Sequence, residues 1–241
     1  MKMVNTKYRT RDSEVMDDFD LKGEELAKTL RDLDKVNKWL GGNKITINGI
    51  KKIIRETSPQ EPVKIVDVGC GNGMILRQIA DYGRKNNIKL ELLGIDANPY
   101  AIEIAKELAK EYPEIKFEAI NIFSTAFAEK KYDIVLCTLT LHHFEDVKIE
   151  QLLNVFLESA RLGVVINDLQ RSRAAYYLFQ AFCAVFINNN IAREDGLTSI
   201  LRGFRKKDLE KYSGKLNVEH QKIRWKWAFR YQWIIIKSAS K

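Results

Sequence analysis

The sequence predicts an open α/β fold, in which a mostly parallel, doubly wound sheet is covered by helices on both faces. Apolar segments of strand length end in polar residues, as in 63–68, in 90–96 and in the segment that begins at Tyr132. Segments with helical periodicity alternate with them, which is the order of βαβ units. Ligands bind such sheets at the carboxyl ends of the strands, so the residues that end these strands form the candidate site.

The turn after the first strand is the most informative segment. It reads Asp67-Val68-Gly69-Cys70-Gly71-Asn72-Gly73, and a helix-forming run begins at Met74. Glycines permit a tight turn and a close approach of the backbone to a ligand. Dinucleotide-binding turns need Gly-x-Gly-x-x-Gly, but here the third glycine comes one residue early. The spacing therefore argues against an NAD-like ligand.

Three further strands end in polar residues. Asp96 ends the second strand, at the distance from the glycine turn where an acid accepts hydrogen bonds from both ribose hydroxyls. The third strand, 115–120, is followed by Asn121. The fourth strand, from Tyr132, runs into Leu141-His142-His143-Phe144. We expect these residues to share one cleft.

The Asp-x-Gly-x-Gly-x-Gly run resembles motif I of class I S-adenosylmethionine (SAM)-dependent methyltransferases, and the Leu-His-His-Phe turn resembles the ubiquinone- and menaquinone-biosynthesis members. The resemblance covers about residues 60 to 170. It implies a Rossmann-like sheet of seven strands with an antiparallel C-terminal hairpin, and SAM as cofactor. Asn121 stands where the family usually has Asp, although its amide can still pair with an adenine edge. The implied cofactor-binding residues are Asp67, Gly69, Cys70, Gly71, Gly73, Asp96, Ala97, Asn121, Ile122, Thr138 and Leu139.

Two additions to this domain, which covers residues 61–241, are predicted. Residues 1–60 form a helical cap, with one helix from Glu24 to Leu40, stopped by Gly41-Gly42, and a shorter one from Thr46 to Glu56. Residues of about 171–205 form a helical lid. Its segment 174–187 is apolar nearly all round, so both faces should be buried, and Asp195-Gly196 marks a turn. A dimer interface or a membrane-surface helix are the other interpretations of this segment.

The C-terminal region predicts a helix over 205–212 and a final strand. Aromatic and basic residues alternate strictly over 224–233, which predicts a strand with its aromatic face buried and its basic face exposed. With 215–222 it would form the antiparallel hairpin. Buried aromatics of this kind would not be available to stack on nucleic-acid bases.

The lid indicates the acceptor. Because an apolar, aromatic lid suits a similar ligand, we expect transfer of a methyl group to a small hydrophobic or phenolic acceptor, with O-methylation favoured. His143 is the preferred base. His142 and Asp168 are the other catalytic candidates, and Arg171, Tyr176 and Trp39 are candidates for substrate binding; Trp39 packing on the core is the simpler interpretation.

A metal is not expected. Thr138-Leu139 offers no carboxylate beside Asp168, and His142-His143-x-x-Asp146 lacks a further ligand at zinc spacing. Metal-assisted methyl transfer is therefore disfavoured.

The composition is consistent with an intracellular enzyme. The chain has 241 residues, 45% of them hydrophobic, enough for one large core. Three cysteines and no apolar leader predict a cytoplasmic protein with reduced thiols, without a transmembrane segment, as a monomer or homodimer. The net charge of +8 leaves nucleic acid unlikely but open as a partner. The alternatives are an RNA or protein methyltransferase and a non-catalytic SAM-binding protein.

Overall fold

A seven-stranded sheet forms the centre of the molecule in the computed structural model, which describes residues 4–59, 61–124, 127 and 129–237. The strand order is β3-β2-β1-β4-β5-β7-β6; β1 to β5 are parallel, and β7 is antiparallel to both of its neighbours. The predicted seven-stranded sheet with an antiparallel C-terminal pair is confirmed. The strands are β1 Val63–Val68, β2 Leu90–Asp96, β3 Ile115–Ala119, β4 Tyr132–Thr138, β5 Ala160–Leu169, β6 His220–Lys226 and β7 Arg230–Ile236.

Helices cover both faces of the sheet, as a doubly wound fold requires. The helices are α1 Gly23–Trp39, α2 Gly42–Thr57, α3 Met74–Lys85, α4 Pro99–Leu108, α5 Asp146–Ser159, α6 Arg173–Phe186, α7 Asn190–Arg202 and α8 Lys206–Ser213. Alternate residues of β1 enter two cores: Val66 packs with α5 and α8, and Ile65 with α2, α3 and α4. The carboxyl ends of the parallel strands stay open between these layers, where a ligand can enter.

The N-terminal helices meet at Gly41, whose left-handed φ of 70° turns the chain directly from α1 into α2. The second helix therefore begins at Gly42, four residues earlier than predicted. Gly49 lies against the sheet, since a Cβ there would stand 2.6 Å from Cγ1 of Val165 on β5. The cap is thus packed on the sheet through a glycine contact.

The lid differs from its prediction in two ways. In α6 the buried residues are Ala175 and Cys183, whereas Val185 is 72% exposed and Leu178 and Phe186 are 56% exposed. The expectation that both faces would be buried is wrong, because α6 packs on the molecule through one face only. The turn expected at Asp195-Gly196 lies inside α7.

Tertiary contacts explain why the turn expected at Asp195-Gly196 does not form. The Asp195 carboxylate accepts hydrogen bonds from the backbone N–H groups of Val15 and Met16, at 2.8 and 3.0 Å, instead of bonding its own backbone in a turn. Gly196 leaves room for a ring, because a Cβ would stand 2.4 Å from Phe179. Both residues therefore serve contacts with other elements.

The aromatic alternation at the C-terminus runs through two strands and the turn between them. β6 ends at Lys226 and β7 begins at Arg230, so the single strand predicted over 224–233 is wrong. Trp233 on β7 is fully buried, but Trp225 and Trp227 are 49% and 66% exposed. The alternation is real in the sequence, but the chain reverses within it, and its first two tryptophans face outward.

Cys70, Cys137 and Cys183 are all buried and unbridged. Over the described part of the chain, no helix combines the length and the apolar character that a membrane span requires.

Candidate active site

The glycine turn between β1 and α3 forms the floor of the site. Gly69 has a φ of 71°, and a Cβ there would stand 2.4 Å from Oγ1 of Thr140, so only glycine fits. The N–H groups of Gly69 and Cys70 donate to the carbonyl of Ile95 at 2.9 and 3.0 Å. These bonds join the turn to the end of β2.

Asp96 fixes the turn from the neighbouring strand. Its Oδ2 accepts a hydrogen bond from the Gly71 N–H at 2.9 Å, and its Oδ1 accepts one from the Asn98 N–H at 2.9 Å. Burial raises the pKa of Asp96, and these hydrogen bonds oppose that rise. The carboxylate is therefore held in one orientation at the edge of the turn.

Asp67 is the second buried acid of the floor. It is 2% exposed, and its Oδ1 has no hydrogen-bond partner among the described residues. Burial, and then repulsion from Asp96, raise the pKa of Asp67 to about 8. An unpaired acid at the base of a cleft suits a ligand that brings positive charge.

One cavity of about 740 Å³ connects this floor with the lid, a volume typical of small-molecule sites. Gly73 does not line it; that residue starts α3 in a left-handed conformation, with room for no Cβ beside Phe117. The sequence-predicted residues that do line the cavity are Asp67, Gly69, Cys70, Gly71, Asp96, Ala97, Asn121, Ile122, Thr138, Leu139, His142 and His143.

The two histidines are held in the same way, each by a carboxylate at Nδ1. His142 Nδ1 lies 2.7 Å from Oδ1 of Asp168, and His143 Nδ1 lies 2.6 Å from Oδ1 of Asp17. Nδ1–H donation to a carboxylate leaves each Nε2 as the acceptor atom. Both Nε2 atoms face the carboxylate of Glu14. The Nε2 of His142 lies 3.6 Å from Oε1, and the Nε2 of His143 lies 3.9 Å from Oε2.

The carboxylates of this cluster have different pKa values. Burial raises the pKa of Glu14 to about 7, although His143, the hydroxyl of Ser199 at 2.6 Å, and Arg202 oppose the rise. Burial also acts on Asp17, but hydrogen bonds from His143 and Arg202 outweigh it and lower its pKa. Acids with opposed pKa shifts beside two imidazoles can accept and pass on a proton near neutral pH.

Two buried atoms of the cluster, His142 Nε2 and Glu14 Oε1, have no hydrogen-bond partner among the described residues. The ligand atoms of Glu14, His142 and His143 also lie within 4.8 Å of one another, which is close enough to hold a metal ion. The sequence-based expectation that the protein binds no metal stays a prediction.

Asp168 lies beneath the histidines. It is 1% exposed, and both its oxygens bond His142, one to Nδ1 and one to the backbone N–H at 3.1 Å. Burial opposes its ionisation, but the attraction of His142 and their hydrogen bond outweigh this and lower the pKa of Asp168. Asp168 therefore orients His142 and does not itself line the cavity.

The three residues predicted to bind substrate lie away from the cavity wall. Arg171 is buried and donates to the carbonyls of Thr6 and Gly203 and, at 2.8 Å, to Asp208. Tyr176 is edge-on to its neighbour Tyr177. Trp39 is 54% exposed and contacts Phe182 and Phe186 edge-on.

The sequence reasoning missed Glu14, Asp17 and Arg230, all of which line the cavity. Glu14 and Asp17 bracket a single 3₁₀ turn and cap it reciprocally, so the only local signal was a pair of acids three residues apart. Arg230 opens β7, where it was interpreted as part of a solvent-facing basic stripe. It is in fact 2% exposed.

Comparison with known proteins shows the kind of domain. Residues 65–163 match a family model described as a methyltransferase domain. A ubiquinone biosynthesis O-methyltransferase of Rickettsia canadensis is 31% identical over 134 residues, which are 54% of this chain and 52% of that protein. Its mitochondrial counterpart in Schizosaccharomyces pombe is 30% identical over 125 residues, 50% and 43% of the two chains. The chain spans about half the length of these curated relatives.

Solved structures share the fold over most of the chain. The plantazolicin methyltransferase BamL, in complex with a triazolic desmethylPZN analog and SAH, has a TM-score of 0.66 at 16% identity, covering 88% of this chain and 91% of BamL. Magnesium protoporphyrin IX methyltransferase (ChlM) from Synechocystis, with bound SAH, has a TM-score of 0.56 at 14% identity, covering 86% and 87%. At these identities the likeness concerns the fold.

SAM is the cofactor of such a domain, and the residues of this site fit it. Gly69 and Gly71 line the cavity in left-handed conformations, so the turn presents its backbone to a ligand there. The unpaired Oδ1 of Asp67 and the fixed carboxylate of Asp96 offer acceptors to a ligand that carries an ammonium, a sulfonium and ribose hydroxyls.

Proposed function

We propose that this chain, which belongs to the class I SAM-dependent methyltransferases, transfers a methyl group to an oxygen of a small hydrophobic or phenolic acceptor. The observation that supports this most is one continuous cavity that connects the glycine turn and Asp96 to the histidine cluster and to the apolar lid. The relatives named as O-methyltransferases favour an oxygen acceptor.

The cofactor half of the cavity is assigned to the ends of β1 to β4. Asp96 would accept the ribose hydroxyls, Asn121 would pair with the adenine edge, and Asp67 would face the positively charged end of the cofactor. When bound, SAM supplies an electrophilic methyl group. The turn residues contribute alignment, which is the main requirement of a displacement of this kind.

The acceptor half is assigned to the histidine cluster and the lid. Leu178, Phe179 and Phe182 of α6 line the cavity and offer an apolar wall to an aromatic ring. The hydroxyl proton would pass to Nε2 of His143 or His142, each oriented by its own carboxylate. Glu14 is next to both Nε2 atoms and would share that proton.

A transfer assay tests this function. The protein is incubated with SAM and a panel of phenols and hydroquinones, and methylated products and SAH are quantified by mass spectrometry. We expect His142→Asn and His143→Asn to lower kcat by about 100-fold or more while the SAM Kd stays unchanged, because the base is lost and the cofactor site is not. His220→Asn, a change at an exposed residue of β6, is the matched control.

Two results would contradict the proposal. One is a folded protein that binds SAM and methylates none of these acceptors. The other is a pair of histidine variants that turn over at the rate of the control. The second result would place proton transfer elsewhere.

A second candidate, methylation of RNA, draws on the C-terminal hairpin. Trp225 and Trp227 are exposed beside Arg224 and Lys226, a combination that stacks on unpaired bases. Quenching of tryptophan fluorescence by an oligonucleotide, weakening steeply with salt, would support this candidate. An absence of quenching at low salt would exclude it.

A further inference from the structure

A buried arginine faces the acceptor side of the cavity without an acid to pair with it. Arg230, the first residue of β7, is 2% exposed and lines the cavity. Its Nη2 donates to Oδ1 of Asn37 at 2.8 Å, while Nε and Nη1 have no acceptor among the described residues. An unpaired guanidinium in such a place is costly unless a ligand supplies the missing negative charge.

Asp168, the acid whose charge acts on Arg230, is already hydrogen-bonded to another residue. Asp168 attracts the guanidinium, but its oxygens are bonded to His142. Burial lowers the pKa of Arg230 to about 10, so the side chain stays positively charged at neutral pH. The charge is therefore retained and not balanced by a direct partner.

Two further groups beside Arg230 favour an anion. Both side-chain polar atoms of Asn43 are unpartnered although the residue is 4% exposed, and Asn43 also lines the cavity. Asn43 is the second residue of α2, whose N-terminus has no side-chain cap. The guanidinium packs on this helix end, since a Cβ on Gly42 would stand 2.6 Å from Cζ of Arg230. The first N–H groups of a helix and its dipole favour negative charge.

The position in the sheet assigns this place to the acceptor and not to the cofactor. The glycine turn follows β1 and Asp96 ends β2, whereas Arg230 begins β7, two strands beyond β4. Because neighbouring strands lie about 5 Å apart, a separation of two strands corresponds to about 10 Å across the sheet. Residues of α6, among them Phe179 and Phe182, line the same cavity as Arg230.

We infer that Arg230, Asn43 and the N-terminus of α2 form an anion subsite that takes a carboxylate of the methyl acceptor. The inference rests on the proposed function in assigning this carboxylate to the acceptor. The acceptor class becomes an aromatic or apolar hydroxy acid, with its carboxylate at Arg230 and its hydroxyl at the histidine cluster. The cofactor's own carboxylate is the other source of the same chemistry, and the experiment separates the two.

The probe is benzoate, with benzamide as a neutral molecule of the same shape. Both are titrated into the wild type saturated with SAH, and into Arg230→Met and Arg224→Met. Arg224 is an exposed arginine of β6 and serves as the matched control. We expect the wild type and Arg224→Met to bind benzoate and not benzamide. Arg230→Met should lose about 10- to 100-fold in benzoate affinity, because a charge-assisted hydrogen bond is removed, and should keep its SAH affinity.

Three results would overturn the inference. They are a wild type that does not distinguish benzoate from benzamide, an Arg230→Met variant with undiminished benzoate affinity, and a variant whose SAH affinity falls instead. The last would give the subsite to the cofactor. The comparison of the two probes needs only the wild type, so it decides even if the variant fails to fold. Failure of the proposed function would appear separately, as absent methyl transfer in the assay with phenols and hydroquinones.

Discussion

Several residues that line the cavity carry buried polar atoms without a hydrogen-bond partner among the described residues. Among these atoms are Asp67 Oδ1, His142 Nε2, Glu14 Oε1 and Arg230 Nη1. Such atoms cost free energy in the free protein. Each is therefore a place where a ligand can gain binding free energy.

Asp67 makes cofactor binding depend on pH. Its pKa of about 8 means that it is mostly protonated at neutral pH, and a positively charged ligand favours its ionised form. SAM should therefore release a proton on binding, and its affinity should fall as pH falls below about 8, by up to about tenfold per unit. Calorimetry in buffers of different ionisation enthalpy measures the released proton.

Asp67→Asn is the control for this prediction, because the amino group of SAM titrates in both proteins and the difference belongs to Asp67. Proton release should disappear in the variant. In the free wild type, the raised pKa lowers the unfolding free energy as pH rises from about 4 through about 8, since the unfolded chain loses this proton first. Equal proton release from both proteins would contradict the assignment.

The residues predicted for the cofactor line the cavity more often than those predicted for the acceptor, for a physical reason. Gly69 and Asp96 belong to local strand-end patterns that a one-dimensional sequence records. Glu14 and Arg230 reach the cavity from the N-terminal segment and from β7, and only the tertiary fold brings them to the same cavity. Arg230 was also hidden by its neighbours, since an alternating basic residue normally faces solvent.

At the scale of elements, a close glycine contact helps to pack the cap on the sheet. Gly49 of α2 lies on Val165 of β5, with no room for a Cβ. Gly49→Ala should lower the unfolding free energy by about 1–3 kcal/mol through overpacking, although alanine is the better helix former. Chemical denaturation measures the change.

Two further variants make that test specific. Asn48→Ala, at the exposed neighbouring position of α2, should leave stability nearly unchanged. Adding Val165→Ala should restore part of the loss of Gly49→Ala by making room for the new methyl group. If Gly49→Ala were as stable as the wild type, the helix would have to lie farther from the sheet.

The type of an element was predictable where the periodicity of its sequence agrees with its burial in the structure. It was not predictable where the two differ. β1, β2 and β4 are mostly apolar and were assigned correctly. The C-terminal alternation predicted one strand, because alternation carries no information on where a chain reverses. In α6 the apolar residues predicted burial on both sides, but Val185 and Phe186 are exposed beyond the one packed face. A sequence records which surfaces are apolar and not whether a partner covers them.

For the whole molecule, the N-terminal segment closes the cavity from outside the matched domain. Arg9 connects three elements, donating to the carbonyls of Arg202 at 2.7 Å, His142 at 2.8 Å and Phe144 at 2.9 Å. Residues 65–163 carry the family match, whereas Glu14 and Asp17 lie before it. The acceptor side is therefore built largely from parts that the family model does not cover.

Arg9→Ala should destabilise the protein by about 2 kcal/mol or more, because it removes a donor from three carbonyls and leaves that of His142 only the 3.3 Å hydrogen bond from Nε of Arg202. Arg9→Lys should recover little of the loss, since a single ammonium cannot replace a planar fork of donors. Arg11→Ala, at an exposed position of the same segment, is the control. Thermal unfolding of the three variants measures the differences; an unaffected Arg9→Ala would mean that the segment is not held as described.

The most direct test of the account is titration of SAM and SAH into the wild type, Asp96→Asn and Asp81→Asn, the last an exposed acid of α3 as control. Asparagine keeps an oxygen for the Gly71 N–H but loses the charge that would hold the ribose hydroxyls. We predict saturable binding by the wild type and the control, and a loss of at least about tenfold in Asp96→Asn. A folded wild type that binds neither ligand, or an Asp96→Asn variant that binds as the wild type does, would contradict the assignment of this cavity as a SAM site.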